Sequence, residues 1–222
     1  MNILKKSLAF CLALAACSVG YAHDGHSASI SFFSGFFHPL TGIDHFLVAF
    51  SVGLIAANLS RSNRSGLVAS LPLLAFLSSA LLGSALGVQG VGFALTMEWL
   101  IISSLVFFGA VLAWNRGIVI EHPHKDNMLA LILAACAVFG LAHGYVHTAE
   151  LATGNTLLAS TAYALMEFEL GWFISTALIH VSGFAVSIML LRKHLIVQRV
   201  AGAAIALTGV ALSAALMGFT AI

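Results

Sequence analysis

Two short stretches hold the side chains best suited to chemistry. They are His38-Pro39-Leu40-Thr41-Gly42-Ile43-Asp44-His45 and His143-Gly144-Tyr145-Val146-His147-Thr148-Ala149-Glu150. Each lies inside a hydrophobic run long enough to cross a bilayer. Imidazoles and carboxylates are costly at that depth and by default mark a functional site. Histidine combined with Asp or Glu is also the ligand set of borderline divalent cations such as nickel, cobalt and zinc. The first expectation is a membrane protein that handles a divalent metal ion.

Spacing sharpens it. At about 100° per residue, His143 and His147 lie about 40° apart on a helix, and Glu150 returns to within about 20° of His143. An i, i+4 histidine pair can chelate one ion, with the carboxylate a turn further on completing or orienting the site. His38 and His45, seven apart, share a face if the stretch is helical. Pro39 suits the first turn of a helix, where its missing N–H is not needed. Gly42 permits close backbone approach. Asp44 can bind metal or fix the tautomer of His45. The blander alternatives are a polar seam between helices for the second stretch and a capping turn for Asp44. A capping turn does not explain two histidines.

The elements that must position these groups follow from composition. The chain has 222 residues, 60% hydrophobic and 8% charged, with a mean hydropathy of +1.04. Soluble domains carry about a quarter charged residues, so the expected fold class is an all-α polytopic membrane bundle. A formal net charge of +1 argues against nucleic acid as a partner. Lys5 and Lys6, the apolar run Ser7 to Ala16 and the small residues of Gly20-Tyr21-Ala22 read as a signal peptide over 1–22. Residues 23–222 then form a single transmembrane helical domain. Leu14-Ala15-Ala16-Cys17 also resembles a lipoprotein cleavage box. Cleavage after Ala22 leaves Cys136 alone, so no intramolecular disulfide forms.

Six apolar spans follow, near 30–59, 67–86, 95–114, 128–150, 160–191 and 198–219. The first and fifth are too long for simple straight spans. Pro39 and Gly42 predict that the first is broken into a short Phe-rich segment, an irregular turn and a helix from about Asp44. Every Lys and Arg after the leader lies in a loop after the first, third or fifth span: Arg61 and Arg64, Arg116 and Lys125, then Arg192, Lys193 and Arg199. The positive-inside rule makes those loops cytoplasmic and both mature termini external. Four spans then carry ligand-type side chains in the outer half of the membrane. Glu98 joins the outer cluster at its edge, and His180, deeper, is a second station. Gly83–Gly87 and Gly140–Gly144 have the spacing of close helix packing. Cys136 is expected to be plain packing. Glu167 and Glu169 read as interfacial anions that raise local cation concentration. His23 and His26 open the mature chain and can capture ions, while His122 and His124 read as plain loop residues.

His38, five intervening residues and Asp44-His45, with Phe139-Gly140-Leu141-Ala142-His143-Gly144-Tyr145-Val146-His147-Thr148-Ala149-Glu150, resemble the HupE/UreJ family of small nickel/cobalt permeases. Glu98-Trp99 and Thr176-Ala177-Leu178-Ile179-His180 also resemble family positions. The second motif departs at Ala142, where the family usually has Phe, and at Thr148, where it usually has Gly. The resemblance implies import of nickel or cobalt into the cytoplasm across a bacterial inner membrane, with hand-off to cytoplasmic metallochaperones. Zinc is a further candidate cargo, and no organic cofactor is expected.

A second reading is an intramembrane zinc hydrolase, in which bound zinc activates water and Glu150 serves as acid–base group. The sequence lacks HExxH, a nucleophile elbow and a P-loop. His180 below the outer cluster suits stations along a path better than one closed site.

Overall fold

The computed structural model describes residues 30–60, 66–88, 92–114, 125–154, 162–191 and 194–220. The expected signal peptide, His23, His26, His122 and His124 lie outside these residues. The described chain is helical throughout: α1 (Phe32–Thr41), α2 (Ile43–Ser60), α3 (Gly66–Gly87), α4 (Ala94–Trp114), α5 (Lys125–Gly154), α6 (Ala162–Val186) and α7 (Leu195–Thr220). Six helices, α2 to α7, are long and apolar enough to cross a membrane. The fold is a polytopic helical bundle.

The first span divides where Pro39 and Gly42 predict, and more sharply. A reciprocal cap starts α1: Ser34 N–H donates to Ser31 Oγ at 3.3 Å, and Ser31 N–H donates to Ser34 Oγ at 3.0 Å. The Phe-rich segment is itself helix, and the irregular turn shrinks to one residue. Gly42 adopts an extended conformation (φ −78°, ψ 110°). Its N–H donates to His38 O at 3.0 Å, and its carbonyl accepts from Phe46 N–H at 2.9 Å. One glycine therefore closes α1 and opens α2. Pro39 does not occupy the first turn of the second half, as expected, but the last turn of α1. There its missing N–H deprives the Gly35 carbonyl of a helical donor and weakens the helix just before the break. The extra length of the fifth span is taken up by a π-helical turn, Ser187–Leu191, that continues α6.

α2 is the centre of the bundle: 78% of its span is buried, against 17% for α7. α1 and α2 both lie along α6, α3 pairs with α5, and α4 pairs with α7. Glycines set these pairs at backbone contact. A Cβ on Gly83 would run into the Leu141 carbonyl, and one on Gly144 into the Ala80 carbonyl. This is the close packing that the two GxxxG spacings predict, and both belong to one interface, α3 against α5. The contacts rise together along both chains, Gly140 against Phe76 then Gly144 against Ala80, and Gly83 against Leu141 then Gly87 against Tyr145, so the two helices are parallel. The core between the pairs is apolar, built on Val48, Leu54, Ile55, Phe76, Leu105, Phe108 and Ile132. Cys136 sits in it as a buried free thiol, in the packing role expected.

Candidate metal site

Three elements bring four imidazoles together. His38 stands in the last turn of α1 and His45 in the first turn of α2. In one continuous helix their seven-residue spacing would separate them by about 10 Å of rise. The break at Gly42 folds the rings to 5.3 Å between centroids. A Cβ at residue 42 would lie 2.9 Å from His45 Cδ2, so only glycine leaves the His45 ring its place. α5 delivers His147 into the gap, 4.5 Å from the His38 ring and 4.5 Å from the His45 ring. One nitrogen from each of His38, His45 and His147 lies within 4.8 Å of the others. His143, one turn deeper on α5, has its ring 5.2 Å from that of His45. His45, His143 and His147 are buried, and His38 is half-buried.

Hydrogen bonding fixes how two imidazoles present themselves. His143 Nδ1–H donates to Phe139 O at 2.7 Å, and His180 Nδ1–H donates to Thr176 O at 2.7 Å. A carbonyl only accepts, so in each ring Nδ1 carries the hydrogen and Nε2 keeps its lone pair. Those two Nε2 atoms and both ring nitrogens of His147 are buried without a hydrogen-bond partner among the described residues. Leaving such groups unpaired costs about 1–3 kcal/mol each. Charged rings at this spacing would repel one another, whereas neutral rings can each direct a lone pair at one shared cation.

Asp44 lies in the first turn of α2, next to His45. Its carboxylate accepts from the His45 backbone N–H at 2.9 Å. The same oxygen lies 3.9 Å from His45 Nδ1, so the carboxylate also stands beside the ring. Glu150 is half-buried one turn beyond His147 on α5. Glu98, also half-buried, lies on the turn of α4 whose Met97 and Leu100 pack with Ala142 and Val146 of α5. His180 stands apart from the imidazole group. The Phe76 ring of α3 packs on both it and His143, 5.1 Å from the first and 5.2 Å from the second.

Two neighbours of the site escaped sequence reasoning. Trp172 of α6 packs its ring 5.1 Å from that of His147, and Phe168 packs 6.0 Å from that of His38. Aromatic residues abound in a membrane chain, so nothing in their spacing singled these out. Glu169 is not the interfacial anion expected. Its two oxygens accept from Ser84 Oγ and Thr148 Oγ1, each at 2.9 Å, tying α6 to α3 and α5.

Chemically, the group offers several neutral nitrogen donors with carboxylates nearby, in a dry setting between helices. That set suits reversible capture of a borderline divalent cation.

The sequence model of the family described as HupE / UreJ protein matches residues 10–212. The chain is similar to Protein HupE of Rhizobium leguminosarum bv. viciae, with 31% identity over 201 residues that cover 90% of this chain and 93% of that protein. No solved structure matches.

Proposed function

Since this chain belongs to the HupE/UreJ family of nickel/cobalt transport proteins, we propose that it imports nickel or cobalt from the periplasm to the cytoplasm without ATP. One observation carries the reading: His38, His45 and His147, from three helices, offer nitrogens within 4.8 Å of one another. Asp44, His143 and Glu150 complete the binding region, Glu98 stands at its edge, and His180 is a second station below Phe76. His23 and His26 collect ions ahead of it. The protein lies in the bacterial inner membrane with both mature termini periplasmic, in keeping with the basic residues after the first, third and fifth spans. The ion passes to metallochaperones inside.

Energetics support a passive route. At about 2.3 kcal/mol per charge per 100 mV, two charges gain roughly 4.6 kcal/mol on entering an inside-negative cell. That sustains a concentration ratio on the order of 10³ at tenfold per 1.36 kcal/mol. The protein's task is kinetic: imidazoles replace the water shell, yet hold the ion weakly enough to let it go. Purified protein in liposomes should accumulate nickel or cobalt under an inside-negative potential with no nucleotide present, and zinc tested in parallel sets the selectivity. Failure to move any of the three, together with zinc-dependent hydrolysis of a lipid or peptide, would favour the hydrolase instead.

A further inference from the structure

The opposite end of the bundle holds a second buried polar cluster that the outer imidazoles do not use. Asn58 lies on α2 thirteen residues beyond His45, about 20 Å of helix. Ser187 begins the π-helical turn after α6, and Gln198 lies in the first turn of α7. All three side chains are buried, at 3%, 2% and 1% exposure. Gln198 Nε2 donates to Asn58 Oδ1 at 3.1 Å and lies 3.4 Å from Ser187 Oγ. Gln198 Oε1 and Asn58 Nδ2 have no hydrogen-bond partner among the described residues. A cluster that merely pinned helices together would gain from full pairing, because a half-satisfied buried network is worse than an apolar one.

We propose that Asn58, Ser187 and Gln198 form an inner cation site, the last oxygen-lined station for a divalent metal leaving the bundle. The proposal rests on the transport reading above. The carboxamide of Gln198 has two ends of nearly equal shape. A half-turn about its last torsion puts Oε1 where Nε2 stands, 3.1 Å from Asn58 Oδ1 and 3.4 Å from Ser187 Oγ. Cis oxygens of a six-coordinate ion at about 2.1 Å lie about 3.0 Å apart, so the three oxygens are already near that spacing. With no ion, Nε2–H holds the oxygens together; with an ion, the amide turns and the unpaired carbonyl becomes a ligand.

Position and ligand type fit release. His180 on α6 and Ser187, the first residue of its π-helical continuation, are seven apart and share a face to within about 20° at α-helical pitch, so the site continues the line from the deeper imidazole. Neutral oxygen donors hold nickel and cobalt less well than imidazole does, so affinity falls in the direction of travel. Arg199, exposed beside Gln198 with its Nε–H donating to Ala113 O at 3.0 Å, puts a positive charge at this end that opposes retention of a dication. A π-helical turn is a frequent mark of a functional site.

The test uses the full chain, with nickel as the probe. Gln198→Glu adds an anionic oxygen. In detergent this variant should retain one more nickel ion per chain than wild type at equilibrium dialysis. In liposomes it should release nickel at least tenfold more slowly. Gln198→Leu should keep wild-type affinity at the outer imidazoles and accumulate nickel at least tenfold more slowly. Wild-type stoichiometry and release in the Glu variant would overturn the proposal, and so would wild-type flux in the Leu variant. If the Leu variant fails to reach the membrane, the stoichiometry of the Glu variant decides. If wild type itself moves no nickel, the transport reading fails, whereas the extra ion in the Glu variant still tests this site.

Discussion

His147 shows what a ligand-ready residue costs its own fold. Both its ring nitrogens are buried and unpaired among the described residues, which costs about 1–3 kcal/mol per group. Replacing it with Phe removes that penalty and keeps a ring against Trp172. Metal-free His147→Phe should be at least as stable as wild type in detergent, with a thermal midpoint unchanged or a few degrees higher. Its nickel affinity by equilibrium dialysis should fall by at least about 100-fold, because even outer-shell partners of a metal site are worth 10- to 100-fold. A variant that lost stability and kept affinity would give His147 a packing role alone. Glu169 behaves oppositely. Thr148→Gly, which restores the residue usual in the family, removes one of the carboxylate's two hydroxyl donors. That should destabilise the protein by about 1.5–3 kcal/mol, read by denaturation in detergent. The histidines and Asp44 were legible in the sequence because ionisable groups stand out in an apolar run. Trp172, Phe168 and the partners of Glu169 were not, since their roles arise only when α6 packs against α1, α3 and α5.

At the scale of elements, the geometry of the site is set by two glycines with different tasks. Gly144 lies between His143 and His147 and faces the Ala80 carbonyl of α3. Gly144→Val should push α3 and α5 apart, lower stability by more than the 1–3 kcal/mol typical of overpacking, and remove nickel binding as both rings shift. Gly218→Ala is the control: its Cβ would meet nothing within 4 Å, and the change should stay within about 0.5 kcal/mol. Gly42→Ala leaves helix pairing alone but crowds the His45 ring, so nickel affinity should drop by about tenfold or more with little change in stability. The break itself was readable, because Pro and Gly act locally on the backbone. The side of it on which Pro39 falls was not. A helix can end after a proline as well as begin at one, and here the capping box at Ser31 sets the register of α1. The two GxxxG spacings announced close packing, but only the folded bundle shows them meeting in a single interface.

For the whole molecule, the six spans followed from length and hydropathy alone, since a bilayer of fixed thickness imposes both. The pairing of those spans did not. Lipid-facing and buried positions are equally apolar here: Leu82 and Leu207 are exposed while Leu54 and Leu105 are buried. Hydrophobicity therefore cannot tell neighbours from lipid. Orientation can be checked with cysteines introduced at Arg61, Lys125 and Lys193. They should resist an impermeant thiol reagent in intact cells and react after permeabilisation; labelling from outside would invert the topology. The phenyl ring packed on both His143 and His180 has a consequence for the cell's energy supply. A line of imidazoles through a membrane is also the material of a proton wire, each ring taking a hydrogen on one nitrogen and releasing one from the other. Phe76 neither donates nor accepts a hydrogen bond, and at 1% exposure it is sealed in by its neighbours, so no hydrogen-bonded chain runs through it from the outer rings to the inner one. Metal transport then need not short-circuit the proton gradient. Liposomes carrying Phe76→Ser should lose an imposed pH gradient faster than those carrying wild type, followed with an entrapped pH-sensitive dye, even with no metal present.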